Sequence, residues 1–134
     1  MIPLPRPRAK IVVLDDSQIA LGQARGMLEE GGYEVVTTNS AIGFSMLLKR
    51  EKPDLVLVDV TMPALRGDKL IEIVKKHQSS PPVGGVPQRG CMMLLHSDRP
   101  VEELDALARS CGAGGYISKT GDTDIFLKAV KSFI

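Results

Sequence analysis

Acidic, hydroxyl and basic side chains follow apolar runs at four places in this chain of 134 residues. Asp15 and Asp16 follow Ile-Val-Val-Leu, and Asp59 closes the run Leu-Val-Leu-Val. Ser97 comes after Met-Met-Leu-Leu-His, and Lys119 after Tyr-Ile-Ser. Short apolar runs bounded by turn residues predict buried strands, and ligands bind at the carboxyl ends of the strands in open parallel sheets. The spacing therefore predicts one site that contains carboxylates, a hydroxyl and an amine.

Three carboxylates at one sheet edge repel one another, so a bound cation, a lysine or raised pKa values must offset their charge. Asp15, Asp16 and Asp59 offer only oxygen ligands, which favours a hard cation such as Mg²⁺. Lys119 offers a single positive charge and Ser97 a hydroxyl donor. Taken singly, these residues could be helix caps, a turn residue and a surface lysine. Their combination at matching strand ends is what indicates function.

The elements that must position these residues alternate along the chain. Helical periodicity in the second helix predicts that Ile42, Met46 and Leu47 face the core, with Asn39 or Ser40 as the N-cap. Strands are expected at 11–14, 33–38, 55–58, 91–95 and 116–118. Helices are expected at 17–30, 41–50, 67–76, 101–111 and 123–133. This alternation predicts an α/β fold: a doubly wound, five-stranded parallel sheet with helices on both faces. We expect the flavodoxin-like strand order 2-1-3-4-5, one of the two common orders of doubly wound sheets.

The length is that of one domain. Residues 1–9, rich in proline and basic side chains, are expected to form a loose lead-in to a domain at 10–134. Within it, residues 77–90 hold three prolines and three glycines without periodicity, which predicts a loop longer than usual. The simplest interpretation of that loop is a tolerated surface insertion, and the alternative is a docking element for a partner.

The charge balance, the apolar runs and the cysteines of the chain limit the partners and the location that we expect. The 17 basic and 16 acidic residues leave a formal charge of +1, which gives no electrostatic reason to expect a nucleic acid or a membrane surface as partner. No apolar run is long enough to cross a membrane, and the N-terminus does not look like a signal peptide. Cys91 and Cys111 form no metal-binding motif and are expected to be reduced thiols in a cytoplasmic protein.

The set of strand-end residues resembles the receiver domain of bacterial two-component response regulators, of the stand-alone type found in chemotaxis. The resemblance covers residues 10–134. It rests on Asp15-Asp16, on the pattern Asp-x-x-Met-Pro that begins at Asp59 and is followed by Gly67, on Ser97, and on Tyr-Ile-Ser-Lys from Tyr116 to Lys119.

The resemblance implies that Asp59 accepts a phosphoryl group from a phosphohistidine, either on a sensor histidine kinase or on a phosphotransfer protein. It implies that Asp15, Asp16, Asp59 and the backbone carbonyl of Thr61 hold Mg²⁺. Lys119 would pair with the phosphoryl oxygens. The physical chemistry agrees, because phosphoryl transfer depends mainly on positioning and charge neutralisation.

The resemblance also implies a switch. Ser97 would move toward the phosphoryl group, and Tyr116 would turn inward as it does. A downstream protein would dock on the face made by helix 4, strand 5 and helix 5, which could also form a homodimer. Such a module is a signalling phosphoprotein and not an enzyme beyond its own phosphorylation and dephosphorylation.

The chain departs from the family pattern at several positions. Thr120 stands where most receivers have a proline after the lysine, which predicts a freer loop there. Asp98 replaces the small residue more usual after Ser97. Thr61 and Arg99 occupy positions that tend to tune hydrolysis of the acyl phosphate in the family.

Three other functions compete with this one. A pseudo-receiver would bind its partner without phosphorylation, and Thr120 and Asp98 keep that alternative open. A phosphatase or dehalogenase of the haloacid type would need a second aspartate where this chain has Thr61. A flavodoxin would need a phosphate-binding loop after strand 1, where Asp15 and Asp16 would repel the phosphate.

Overall fold

The computed structural model describes residues 8–78 and 91–134, in which strands and helices alternate. The five strands are β1 Lys10–Leu14, β2 Glu34–Thr38, β3 Leu55–Asp59, β4 Met92–Ser97 and β5 Gly115–Ser118. The five helices are α1 Gln18–Glu30, α2 Phe44–Glu51, α3 Gly67–Gln78, α4 Val101–Cys111 and α5 Thr123–Lys131. All pairings are parallel and the strand order is β2-β1-β3-β4-β5, which confirms the predicted doubly wound α/β fold.

The sheet divides the apolar core into two layers. In β1, Ile11 and Val13 contact α1 and α5, whereas Val12 and Leu14 contact the side that carries α2, α3 and α4. Every residue of β3 is buried, as expected for a central strand covered on both faces. The strand is therefore held in register by packing on both sides, and its last residue, Asp59, has a determined position.

The register brings the predicted site residues to one edge of the sheet. Leu14 pairs with Val58, so that Asp15 lies beside Asp59. Asp59 in turn pairs with His96 of β4. Ser97 pairs with Ser118 of β5, so that Lys119 follows directly at the same edge.

The prediction for α2 is wrong in its start and in its buried face. Phe44 and Leu48 are buried, whereas Ile42 is 93% and Met46 69% exposed. Only Leu47 of the three predicted residues packs against the core, and it is partly buried. The helix begins at Phe44, and its N-cap is Gly43 in the left-handed conformation (φ 74°), without a side-chain cap. Because that left-handed residue turns the chain immediately before the helix, the periodicity cannot be extended back to residue 41.

Other boundaries agree more closely. Helix α1 is capped by Ser17, whose Oγ accepts the Ala20 N–H, and α5 by Asp122, whose Oδ1 accepts the Ile125 N–H. Helix α3 continues to Gln78, two residues into the predicted loop. The rest of that loop, and residues 1–7 of the predicted lead-in, lie outside the described residues. No helix among the described residues is long and apolar enough to cross a membrane.

Candidate functional site

Three aspartates form an acidic cluster at the carboxyl edge of the sheet. Asp15 follows β1 and is 1% exposed, and Asp59 ends β3 and is 4% exposed. Asp16, the next residue along from Asp15, is exposed. One carboxylate oxygen from each of the three lies within 4.8 Å of the others. The predicted cluster is thus formed, because β1 and β3 are neighbours in the sheet.

Lys119 reaches this cluster from the end of β5. Its Nζ lies 2.8 Å from Asp15 Oδ2 and 3.4 Å from Asp59 Oδ1. Its backbone N–H donates to the Ser97 carbonyl oxygen at 2.8 Å, which fixes the base of the side chain. Burial lowers the pKa of Lys119, but the two carboxylates raise it by more, so that the net shift is upward. Lys119 is therefore a charged member of the site and not a surface lysine.

The Asp59 carboxyl group is costly to ionise in its buried position. Its pKa is raised from 3.8 to about 6, mainly by burial and to a smaller extent by the nearby Asp15 carboxylate. Lys119 and the backbone N–H of Thr61 lower the pKa but only partly offset the cost of burial. The Lys119 ammonium alone therefore does not fully stabilise the ionised carboxylate.

The cluster fits a divalent metal ion. Asp15 Oδ1 accepts the Ser17 N–H at 3.0 Å. Asp15 Oδ2 is buried and, within the described residues, receives no well-aligned hydrogen bond, although the Lys119 ammonium lies 2.8 Å away. A buried anionic oxygen in this state has unused capacity for a cation. The oxygen-only donor set suits Mg²⁺.

Gly67 lies against the backbone of the site. A Cβ on Gly67 would come within 2.0 Å of the Asp59 carbonyl oxygen, so no side chain fits without a shift of the backbone. The Gly67 N–H donates to the Val60 carbonyl at 3.1 Å. The first turn of α3 thereby packs directly onto the end of β3.

A second set of contacts connects the loops after β3 and β4. The backbone N–H of Arg99 donates to Ser97 Oγ at 3.1 Å, so the hydroxyl does take part in a turn, as the simpler interpretation held. The Arg99 Nε donates to Thr61 Oγ1 at 3.3 Å. The guanidinium also forms an ion pair with Glu103 of α4. Sequence reasoning singled out positions 61 and 99 but did not predict their contact.

Two further side chains lie beside the site. Tyr116 is half-buried and packs against the core on the side of α3 and α4. His96 was not predicted to matter, although it interrupts an apolar run one residue before Ser97. It is 5% exposed and stacks on Phe126 of α5, with ring centroids 5.4 Å apart. Burial and the Lys119 charge lower the pKa of His96 to about 4.

Known proteins with similar sequences include a transcriptional regulatory protein. The chain is 30% identical over 125 residues to the transcriptional regulatory protein YxdJ of Bacillus subtilis, covering 93% of this chain and 50% of that one. It thus spans half the length of that relative. It is 25% identical over 126 residues to protein PilH of Pseudomonas aeruginosa, covering 94% of this chain and 98% of PilH.

Solved structures with the same fold include the chemotaxis protein CheY4 of Vibrio cholerae, with a TM-score of 0.78 at 21% identity, covering 96% of this chain and 100% of that one. The BeF₃-activated N-terminal receiver domain of Klebsiella pneumoniae RstA matches with a TM-score of 0.76 at 23% identity, covering 92% and 97%. At these identities the likeness establishes the fold.

The family model for the response regulator receiver domain matches residues 11–131, which cover all the strands and helices described above except Lys10, the first residue of β1. The acidic cluster fits this match, because receiver domains typically bind Mg²⁺ through an acidic pocket. Receivers are signalling modules that interact with kinases and with downstream targets. The chain therefore belongs to the response regulator receiver domain family.

Proposed function

We propose that this chain is a phosphorylatable receiver in which Asp59 accepts a phosphoryl group from a phosphohistidine on a sensor histidine kinase or phosphotransfer protein. The observation that carries the proposal is the position of Asp59, buried at the end of β3 between Asp15 and the Lys119 ammonium. In this reaction an Asp59 carboxylate oxygen forms a bond to phosphorus as the bond from phosphorus to the histidine nitrogen breaks.

The other residues of the site supply charge and orientation. Asp15, Asp16, Asp59 and the backbone carbonyl of Thr61 would hold Mg²⁺, which when bound neutralises negative charge on the phosphoryl oxygens. The Lys119 ammonium, already 3.4 Å from Asp59 Oδ1, offsets charge on the side of β5. The low exposure of Asp59 limits access of water to the carboxylate.

Phosphorylation would alter the contacts of Ser97. The phosphoryl group adds negative charge and acceptor oxygens close to a hydroxyl that accepts the Arg99 N–H. A Ser97 that turns toward the phosphoryl group gives up that contact, and the half-buried Tyr116 follows it inward. The face formed by α4, β5 and α5 then changes its affinity for a partner protein or for a second copy of the chain.

A phosphorylation-independent pseudo-receiver is the second candidate. It is favoured by Asp98, an exposed carboxylate directly after Ser97 that would repel an anionic donor. The loop after Lys119 also lacks proline, and Thr120 Oγ1 there accepts the Asp122 N–H at 3.1 Å. In this alternative the acidic cluster binds Mg²⁺ but does not respond to phosphoryl groups.

Amide NMR spectra separate the two candidates. We expect Mg²⁺ followed by beryllofluoride, a phosphoryl mimic, to shift resonances around Asp59, Ser97 and Tyr116. The D59N variant should lose the beryllofluoride response. D54N, which changes an aspartate at the opposite end of β3, should keep it. A wild-type protein that responds to Mg²⁺ but not to beryllofluoride would support the pseudo-receiver.

A further inference from the structure

Arg99 links three parts of the molecule at the rim of the acidic pocket. Its Nε donates to the hydroxyl of Thr61 at 3.3 Å, and the backbone N–H of Thr61 in turn donates to the Asp59 carboxylate. The guanidinium therefore contacts a residue, Thr61, that itself contacts the proposed phosphoryl acceptor. Its Nη1 pairs with Glu103 in the first turn of α4.

The Glu103 carboxylate and a phosphoryl group are chemically similar partners for this guanidinium. Arginine binds both through parallel N–H···O contacts, and its five donors favour the group with more charge and more oxygens. The Arg99 side chain is 29% and that of Glu103 43% exposed, so their ion pair is accessible to solvent. Exposed ion pairs are weak and can be exchanged at little cost.

We propose that Glu103 is an internal competitor of the phosphoryl group for Arg99. In the unphosphorylated protein the guanidinium binds Thr61 and Glu103. In the phosphorylated protein it leaves Glu103 and contacts the phosphoryl oxygens on Asp59, which releases the first turn of α4. This inference rests on the proposed function and adds a regulatory contact to it, since Glu103 lowers the affinity of the site for a phosphoryl group.

The test is the affinity of the Mg²⁺-loaded protein for beryllofluoride. We expect E103Q to bind about two- to fivefold more tightly than wild type, the range that an exposed ion pair contributes. R99Q should bind about tenfold more weakly, because a charged hydrogen bond to the mimic is lost. R99K, which keeps the charge but loses the planar fork, should fall between R99Q and wild type.

The double variant R99Q/E103Q isolates the competition. If Glu103 acts only through Arg99, the gain from E103Q disappears in the R99Q background. Two controls remove similar charges elsewhere on α4. E102Q neutralises the neighbouring residue in the same helical turn. D105N breaks the ion pair of Asp105 with Arg109, which has the same four-residue spacing as the pair of Arg99 and Glu103. Both should bind beryllofluoride like wild type.

The possible results distinguish a failure of this inference from a failure of the proposed function. If wild type does not bind the mimic, both the proposed function and this inference are wrong. If wild type binds and E103Q binds equally or more weakly, the competition is wrong while the receiver function stands. The competition is also wrong if E102Q tightens binding as much as E103Q. The tighter binding would then come from the loss of any negative charge near the site and not from the release of Arg99. Thermal unfolding of each variant checks that it remains folded.

Discussion

Ionisation of Asp59 carries an electrostatic cost because the side chain is buried. In the proposed reaction the ionised carboxylate attacks phosphorus, yet the pKa is raised to about 6 because the side chain is buried beside Asp15. A group of this kind favours the folded state while it is protonated. A cation bound at the site would lower the cost of this negative charge.

We predict that D59N stabilises the metal-free protein at neutral pH. With a folded pKa of about 6 against 3.8 in the unfolded chain, the stability contributed by protonated Asp59 is lost as the pH rises from about 4 to about 6. Ionisation of Asp59 therefore lowers the unfolding free energy of the wild type by about 3 kcal/mol at pH 7.5, but by less than about 1 kcal/mol at pH 4. Denaturant titrations in EDTA should show a gain in unfolding free energy for D59N that grows with pH. An equal gain at both pH values would contradict the prediction.

His96 has the opposite pH dependence. Its pKa is lowered to about 4 from 6.5, so its neutral form favours the folded state and this stability is lost as the pH falls from about 6.5 to about 4. The loss amounts to about 3 kcal/mol. H96M lacks this titrating group, so its unfolding free energy relative to wild type should rise on acidification. This holds whatever the difference in unfolding free energy between the two proteins is at neutral pH. Parallel pH profiles for the two proteins would show that His96 is not the titrating group.

At the scale of elements, the site depends on how closely α3 approaches β3. Gly67 begins α3 where a Cβ would collide with the Asp59 carbonyl group. The close approach allows the Gly67 N–H to bond to Val60 and holds the turn after Asp59 in place. The glycine is thus required by packing.

We predict that G67A destabilises the protein by about 1–3 kcal/mol, as overpacking commonly does, and weakens Mg²⁺ binding by displacing Asp59. G22A is the matched control, because no atom lies within 4 Å of the added Cβ in the middle of α1. G22A should stabilise the protein by about 0.5–1 kcal/mol through helix propensity. Denaturant unfolding measures both. A G67A protein as stable as wild type would mean that the backbone at Asp59 yields easily.

At the scale of the whole molecule, the topology gathers residues that are more than 100 positions apart, from Asp15 to Lys119. Each lies at the carboxyl end of a strand, and the strand order places β1, β3, β4 and β5 side by side. A ligand that binds this edge contacts several elements at once. Binding should therefore stabilise the folded state as a whole.

We predict that Mg²⁺ raises the unfolding free energy by about 2.7 kcal/mol at a concentration 100 times its dissociation constant. Thermal unfolding during a Mg²⁺ titration measures this. D16N should shift the response to higher Mg²⁺ with little change in metal-free stability, because Asp16 is exposed. D124N, in the first turn of α5, should respond like wild type. A melting temperature independent of Mg²⁺ would argue against a metal site.

The local pattern of the sequence was sufficient for the element order, the parallel sheet and the grouping of Asp15, Asp16, Asp59 and Lys119. Buried strands need continuous apolar runs, so a carboxylate that ends such a run identifies both the strand and its exposed edge. The bounds of α4 were also predicted correctly, since helical periodicity and the glycine at 112 are local signals.

Only the tertiary structure decided which side chains of α2 are buried. The start of the helix depends on the left-handed Gly43. Phe44 and Leu48 pack into the core, whereas Ile42 and Met46 are exposed. The sequence left raised pKa values open among the three aspartates, and only the structure assigns a raised pKa to Asp59. The contact between Arg99 and Thr61 was not predicted at all. Burial, charge pairing and contacts between loops are determined by distances across the fold, and a local pattern carries no information about those distances.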